Sequence, residues 1–243
     1  MDPKEKIILA LDVDRFEEAQ RIVLEFRDYV GMFKVGKQLF THCGPKIVDF
    51  IKLKNSKVFL DLKYHDIPNT VAKASIEAVK LGVDMLNVHS SGGFAMMKEA
   101  KTAINDTAKD LGISRPKIIG VTVLTSLDDN ELKRVGFQMT AHELTEKLAL
   151  LSREAGLDGV VASGHDIEMI RRFAGDDFII VTPGVRVDEK KNDQKRTITP
   201  GEAILKGATY IVLGRTVTAG DNPKELLTRI TKDMGDAASY RQK

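Results

Sequence analysis

The sequence is poor in cysteine and in net charge, and each shortage excludes a class of protein. A single cysteine, Cys43, among 243 residues rules out an internal disulfide and a cysteine-based metal cluster, and we interpret it as a small packed residue. The 37 basic and 35 acidic residues leave a formal net charge of +2. This balance gives no reason to expect nucleic acid or an anionic membrane as a partner.

Long apolar runs are missing as well. No stretch approaches the roughly 20 apolar residues of a membrane-spanning helix. At the N-terminus, "MDPKEKIILALDVD" has an apolar run that is too short, and too soon followed by acidic residues, for a signal peptide. We therefore expect a cytoplasmic protein with no membrane partner.

The sequence does contain eight short runs rich in valine and isoleucine, separated by longer segments with helical periodicity. The runs lie at 6–13, 32–36, 57–63, 85–90, 117–125, 159–164, 178–185 and 210–215. Eight strand–helix units predict an α/β fold, the (β/α)8 TIM barrel, which typically needs about 250 residues. A doubly wound open sheet is the alternative, but it would more often show a glycine fingerprint after the first strand, where "ALDVDRFEEA" has no glycine.

We expect one barrel domain over residues 1–243, because no linker, low-complexity tract or close repeat interrupts the pattern. The polar tail at 236–243 is expected to fray. In such barrels the loops that follow the strands form the active face. Polar side chains do gather at or near the strand ends: Asp12, Lys34, Lys63, His89, Thr125 and Arg215.

The densest cluster of charge lies in "VFLDLKYHDIPNT", residues 58–70. Positions i and i+2 of a strand share a face, so Asp61 and Lys63 point the same way, and Lys34 on the neighbouring strand should join them. These charges can be buried together because each has a neighbour of opposite sign. The carboxylates favour the protonated form of Lys63, a fixed ammonium, whereas a Schiff-base lysine needs a lowered pKa. Alternatively, Asp61 and Lys63 form a structural ion pair, and Asp66 caps the helix that begins near Pro68.

A second pattern, after the seventh and eighth strands, predicts a phosphate site. "TPGVR" brings Gly184 and Arg186, and "VLGRTVT" brings Gly214 and Arg215. Barrels frequently bind phosphate with these two loops, where glycine admits the backbone and arginine supplies a forked donor. The charged segment 187–203 between them is either a solvated loop or a lid, with Gln194 as its best candidate for a substrate contact.

The histidines carry no predicted role. None of the five is assigned to catalysis, and no spacing of His, Asp or Glu predicts a metal site. We therefore expect no metal site from these residues.

These residues resemble a known family. "DLKYHDIPNT", with "ALDVD", "FKVG", "PGVR" and "LGR" at the first, second, seventh and eighth strands, is similar to the signature of the orotidine 5′-phosphate decarboxylase family. The resemblance covers the whole chain and is closest to the bacterial branch. It implies decarboxylation of orotidine 5′-phosphate to UMP in pyrimidine biosynthesis, in a homodimer that uses no metal and no cofactor.

The resemblance also implies a role for each site residue. Lys63 would protonate C6 of the pyrimidine within a network of Lys34, Asp61 and Asp66, and Asp66 and Thr70 would reach into the partner's site. The other implied substrate contacts are Asp12 and Lys34 at the ribose, Ile67 beside Asp66, Thr125 and Ser126 at the base, and Arg186, Gln194, Gly214 and Arg215 at the phosphate.

Two alternatives stay open at this point. The metal-dependent 3-keto-gulonate-6-phosphate decarboxylase and hexulose-phosphate synthase share the Asp-x-Lys-x-x-Asp motif, but carry an acidic Mg²⁺ ligand where this chain has Lys34. A lysine there would repel a divalent ion. A non-catalytic nucleotide sensor is the other alternative, and the complete set of two lysines and two aspartates argues against it.

Overall fold

The computed structural model describes residues 2–186 and 198–241. Eight parallel strands close into a barrel in chain order, with the first strand paired to both the second and the eighth. The strands are β1 (Ile7–Ala10), β2 (Met32–Gly36), β3 (Val58–Tyr64), β4 (Met85–His89), β5 (Lys117–Val121), β6 (Gly159–Val161), β7 (Ile179–Thr182) and β8 (Tyr210–Leu213). The closed ring confirms the predicted (β/α)8 barrel and excludes the open sheet.

Helices connect the strands and surround the barrel. They are α1 (Phe16–Phe26), α2 (Lys37–Cys43), α3 (Lys46–Leu53), α4 (Pro68–Lys80), α5 (Gly93–Asp110), α6 (Asp129–Arg134), α7 (Ala141–Glu154), α8 (Ile167–Ala174), α9 (Pro200–Lys206), α10 (Arg215–Thr218) and α11 (Pro223–Arg241). Short 3-10 turns occupy Pro3–Lys6 and Ser90–Gly92. Within the described ranges, no helix has the length and apolar character needed to cross a membrane.

The predicted strands begin within one residue of the observed ones, but several end too late. The prediction extends β1 to residue 13 and β5 to residue 125, whereas pairing stops at Ala10 and Val121. Apolar residues continue past both strands into loops at the top of the barrel, so an apolar run alone does not mark where pairing ends.

The barrel interior changes from apolar to polar along its strands. Alternate strand positions form an apolar layer: Ile8, Met32, Phe59, Met85, Ile119, Ile179 and Val181. Two residues further on the same face, β2, β3 and β4 carry Lys34, Asp61 and Asn87, whereas β5 carries Val121. The upper interior therefore has one polar wall and one apolar wall.

At the opposite end of the barrel, side chains that precede three of the four even-numbered strands bond to the backbone of neighbouring strands. Asp84, Asp158 and Thr209 stand immediately before β4, β6 and β8. Each accepts a hydrogen bond from a backbone N–H near the start of the preceding strand, at 2.7, 2.8 and 3.0 Å respectively. These bonds satisfy donors that would otherwise be unpaired where the strands begin.

The C-terminal tail differs from the prediction. The last helix, α11, continues to Arg241, so residues 236–241 are helical rather than frayed. Met234 is fully buried, and Ala237 and Ala238 pack against the same core. The sequence "DAASYRQK" looks polar, but its two alanines extend the apolar face of the helix by one more turn.

Candidate active site

The third strand reaches the site through a bulge. The pairing of β3 with β4 shifts register between Leu60 and Tyr64. Inside this shift, Lys63 has a φ of 52°, a left-handed conformation that is uncommon for residues other than glycine. The prediction that Asp61 and Lys63 meet by regular strand alternation is therefore wrong in its geometry. They do meet, but the bulge directs Lys63 towards Asp61.

Four of the predicted side chains form a row of alternating charge at the top of β1, β2 and β3. The ammonium of Lys34 lies 3.3 Å from Asp12 Oδ1 and 3.2 Å from Asp61 Oδ2. The ammonium of Lys63 lies 2.6 Å from Asp61 Oδ1. Each oxygen of the Asp61 carboxylate thus faces one lysine. The structure brings Lys34, Asp61 and Lys63 together as the strand pattern predicts, and Asp12 joins them at the outer end of the row.

Burial and charge act on Asp61 in opposite directions. The carboxylate is only 10% exposed, and this burial by itself would raise its pKa. Lys34 and Lys63, together with hydrogen bonds from Lys63 and Asn87, outweigh the burial and hold the pKa of Asp61 below its ordinary value. The carboxylate is therefore ionised at neutral pH and keeps both ammonium groups in place.

The sequence analysis missed Asn87, which belongs to the same cluster. Its side chain is 1% exposed. Its amide Nδ2 donates to Asp61 Oδ1 at 2.7 Å, and its Oδ1 accepts the backbone N–H of Lys63 at 2.8 Å. The signal in the sequence is a single amide inside the apolar strand "MLNVH", two residues before its end.

A cavity of about 220 Å³ opens beside this cluster. Lys34, Asp61 and Lys63 line one side. The other walls are mainly apolar and include Phe59, Val121, Val161, Val181 and Val212. A cavity of about 150 Å³ can hold a benzene molecule, so this space can take a substituted six-membered ring with one edge against the ammonium groups.

Of the two residues predicted to bind the base, Thr125 and Ser126, only one lines the cavity. Thr125 lines the cavity, and its neighbour Leu124 does so too. Ser126 is exposed and is not part of the lining. Of the two candidates, Thr125 is the better placed to meet a ligand in the cavity.

The predicted phosphate residues stand at the ends of β7 and β8, on the side of the cavity away from Lys63. Gly184 has a φ of 74°, which glycine adopts without strain. Arg186 is half-buried, and its backbone N–H donates to Ile198 O at 3.1 Å. Arg215 is exposed at the first position of α10, directly after Gly214.

Gly214 lies close to the charged row. A Cβ atom at this position would be 3.9 Å from Asp12 Oδ2, so the end of β8 adjoins the end of β1 at the cavity mouth. The predicted Gln194 lies outside the described residues.

The remaining predicted residues are not in the cluster. Asp66, Ile67 and Thr70 are exposed, Ile67 by 65%. The carboxylate of Asp66 accepts the backbone N–H of Ile67 at 2.6 Å and forms no salt bridge within residues 2–186 and 198–241. Asp66 does not cap α4 either, because Ile67 is the N-cap residue and no side chain makes a capping bond there.

His89, at the end of β4, contacts the imidazole of His65, with 5.4 Å between ring centroids. Burial, together with the nearby charges of His65, Lys37 and Lys63, lowers the pKa of His89 to about 4. The ring of His89 is therefore neutral near pH 7.

The carboxylates of the cavity are not arranged as metal ligands within residues 2–186 and 198–241. In the part of the chain that the structure describes, no three His, Cys, Asp or Glu side chains come together as a metal site. The carboxylates at the cavity are each bonded to ammonium groups, which compete with a cation for their oxygens.

Fold and site together define a barrel enzyme with a lysine–aspartate row at its active face. A model of the family described as "Orotidine 5′-phosphate decarboxylase / HUMPS family" matches residues 5–230, and the chain belongs to this family. A protein of Syntrophotalea carbinolica named orotidine 5′-phosphate decarboxylase is 48% identical over 98% of both chains. A protein of Moorella thermoacetica with the same name is 50% identical over 92% of this chain and 89% of its own.

A solved structure supports the same family. The crystal structure of orotidine 5′-phosphate decarboxylase from Lactobacillus acidophilus superimposes with a TM-score of 0.84 at 34% identity, covering 94% of this chain and 98% of that one.

Proposed function

We propose that this chain converts orotidine 5′-phosphate to UMP without a metal or an organic cofactor, and that Lys63 protonates C6 of the pyrimidine. The observation that carries the proposal is the Lys63 ammonium, held 2.6 Å from a buried carboxylate at the charged wall of a ring-sized cavity. The names of its relatives support the same substrate. In a cell, this reaction belongs to pyrimidine biosynthesis, which we place in the cytoplasm.

The chemistry requires a cation at one atom of the ring. When the bond between C6 and the carboxylate breaks, carbon dioxide leaves and the electron pair stays at C6 in the plane of the ring, where the ring cannot readily delocalise it. An ammonium already in place stabilises this developing charge without reorganisation. It then gives its proton to C6 and regains one from solvent.

The ion pairs of the row fit this role. Asp61 holds Lys63 on one oxygen and Lys34 on the other, so turning either ammonium out to solvent would remove one of the two counter-charges of a buried carboxylate. The barrier must fall by an amount on the order of 20 kcal/mol, near the upper end for enzymes. One ammonium cannot supply this alone, so binding energy from distant parts of the substrate must contribute.

The nucleotide is oriented by its ribose and phosphate. With the base in the cavity and Thr125 at its edge, the ribose hydroxyls face Asp12 and Lys34 at the mouth, and Ser126 lies nearby in sequence. The phosphate lies against the loops after β7 and β8, where Arg186, Gly214 and Arg215 supply donors and Gln194 bridges phosphate and base. Binding of the phosphate by these loops holds C6 next to Lys63. The binding energy of the phosphate is thereby used to position the reacting atoms.

We further propose that the active unit is a homodimer that completes each site with Asp66, Ile67 and Thr70 of the other subunit. Two observations support this. All three residues are exposed, including the apolar Ile67 at 65%, and the Asp66 carboxylate has no ionic partner among the described residues of its own chain. Asp66 from a partner would extend the alternating row beyond Lys63.

An ultraviolet assay of purified protein tests the function directly. We expect conversion of orotidine 5′-phosphate to UMP at an equal rate with and without EDTA. Loss of this conversion in EDTA, restored by Mg²⁺, would show that the reaction needs a metal ion. UMP binding without any turnover would identify a sensor, and both results would overturn the proposal.

A further inference from the structure

The proposed mechanism so far gives no role to the buried amide of Asn87. This side chain is 1% exposed in the middle of the barrel interior. It lies on β4, beside the bulge of β3, and contacts both Asp61 and Lys63. A buried polar group of this kind is stable only when its hydrogen bonds are made.

The two contacts fix the orientation and the chemical type of the side chain. The Asp61 carboxylate only accepts hydrogen bonds, so it requires the NH₂ group of Asn87, at 2.7 Å. The backbone N–H of Lys63 only donates, so it requires the carbonyl oxygen, at 2.8 Å. An aspartate of the same shape has no donor unless it is protonated, and a leucine has neither group.

The backbone of Lys63 shows why this bond matters. The register of β3 and β4 shifts between Leu60 and Tyr64, and Lys63 takes the left-handed conformation with a φ of 52°. A non-glycine residue stays in this conformation only when its surroundings impose it. The Asn87 carbonyl accepts the Lys63 N–H inside the bulge, where the regular ladder is interrupted.

We propose that Asn87 is a positioning residue, whose amide clamps the backbone of Lys63 and one oxygen of Asp61 so that the Lys63 ammonium is aimed at the reacting carbon. Asn87 does not touch the substrate in this account. It acts through the geometry of Lys63, and its catalytic effect rests on the proposed decarboxylation.

Two near-isosteric variants, Asn87→Asp and Asn87→Leu, separate positioning from packing. Near pH 8 we expect kcat to fall about 100-fold in both, with KM changed less than about threefold, because a displacement near 1 Å has this scale of effect. At lower pH the two should diverge. The carboxyl group that Asn87→Asp introduces can, once protonated, donate to Asp61 and accept from Lys63, as the amide does, whereas leucine can do neither.

The divergence is measured as the ratio of each variant's kcat to that of the wild type. Two carboxylates in hydrogen-bonding contact raise each other's pKa. From about pH 8 to about pH 5.5, we therefore expect the Asn87→Asp ratio to rise about tenfold or more and the Asn87→Leu ratio to stay flat. Parallel losses with no difference in pH dependence, or wild-type kcat in both variants, would overturn the proposal.

Other charged groups around Asn87 do not produce this divergence. Asp61, Lys63 and, behind Asp61, Lys34 face it from β3 and β2, and β5 presents only Ile119 and Val121. His89 follows on the same strand, and burial with nearby cations lowers its pKa to about 4. His65 faces His89 from the β3–α4 loop. All of these groups are present in every variant, so the titration of those that do not contact residue 87 cancels in the ratio, and the change at Asp61 is part of the expected Asn87→Asp effect.

A crystal structure of Asn87→Leu tests the clamp without any substrate. We expect Lys63 to leave its positive φ or its ammonium to move away from Asp61. Retention of both the φ and the 2.6 Å contact would overturn the clamp, whether or not the wild type turns over orotidine 5′-phosphate. A wild type with no turnover but an altered lysine in the variant would overturn the proposed function and support the clamp. Asn87→Ala replaces Asn87→Leu if the latter does not fold.

Discussion

The two ends of the barrel each hold a largely buried carboxylate between two cations, yet only one end forms a site. At the top, Asp61 pairs with Lys34 and Lys63. At the bottom, Asp158 pairs with Lys101 at 3.0 Å and Arg115 at 2.7 Å. Ion pairs alone therefore do not identify the active end.

The two clusters differ in what their remaining hydrogen bonds serve. Asp158 also accepts the backbone N–H of Ile118, so the lower cluster holds adjacent strands at the end where they begin. The upper cluster lines a cavity and includes Lys63 in a left-handed conformation. Open space and local strain, added to buried charge, distinguish the functional end from the structural one.

The largest difference between the two ends is expected for Lys63→Ala. We expect kcat to fall by about 10⁴-fold or more, since proton transfer and electrostatic stabilisation are lost together. The melting temperature should stay close to that of the wild type, because Asp61 keeps Lys34 and the Asn87 amide as partners. The ultraviolet assay and a thermal unfolding curve measure the two effects. Lys101→Ala is the matched control and should do the reverse, lowering stability without lowering kcat. Equal losses of stability in both variants would remove the distinction between the ends.

The second prediction concerns the proposed subunit interface at the upper end. Asp66→Asn and Lys63→Ala should each be nearly inactive alone, but an equal mixture should regain about a quarter of wild-type activity. Half of the dimers then contain both variants, and one of the two sites in each has intact residues. The assay follows mixing after confirmed subunit exchange, and no recovery would mean that Asp66 acts within its own chain.

The third prediction moves to the lower end. Asp158→Asn leaves Arg115 and Lys101 partly buried without their counter-charge, so we expect unfolding free energy to fall by about 3 kcal/mol. The value of kcat at saturating substrate should change less than about twofold. Urea unfolding and the ultraviolet assay measure the two quantities. A large loss of kcat in the folded variant would show that the lower cluster also supports catalysis.

The fourth prediction is the pH dependence of the same carboxylate. Burial by itself raises the pKa of Asp158. Hydrogen bonds from Arg115, the Ile118 N–H and Lys101 outweigh the burial and bring this pKa to about 2, against an ordinary value of 3.8. The ionised form therefore stabilises the fold above about pH 4, and this contribution is lost as the pH falls towards 2.

Because the Asp158 cluster is partly exposed to solvent, protonation of Asp158 should lower the unfolding free energy by about 1–2 kcal/mol. Urea unfolding at a series of pH values should show the wild type losing this much more stability than Asp158→Asn as the solution is acidified. Identical pH profiles would contradict the assignment.

The smallest effect is expected for two buried serines. It tests whether a buried hydroxyl group stabilises this barrel only when it has a hydrogen-bond partner. Ser75 on α4 is fully buried, and its hydroxyl has no hydrogen-bond partner among the described residues. Ser75→Ala should raise unfolding free energy by about 0.5–1 kcal/mol. The control is Ser152→Ala, which removes a hydroxyl that donates to Leu148 O at 2.8 Å and should lower stability by about 1 kcal/mol. The opposite order would contradict the rule.

Much of the fold could be predicted from the sequence because parallel strands buried on both faces are nearly continuous apolar runs. That pattern located all eight strands and placed Asp61, Lys63 and Lys34 at one end. It could not locate the bulge, since nothing about a lysine indicates a positive φ. It also passed over Asn87, because one amide in an apolar strand looks minor until its two partners are seen. The proposed role of Asp66 involves a second subunit, so neither the strand pattern nor the contacts within one chain could predict it.

The most direct test is a crystal structure of the protein with bound UMP. We expect the Lys63 Nζ atom within about 3.5 Å of C6, the distance of a reacting pair, with the Asp61 carboxylate still bonded to this ammonium. A lysine nitrogen turned to solvent, or far from C6 while the base fills the cavity, would contradict the proposed mechanism.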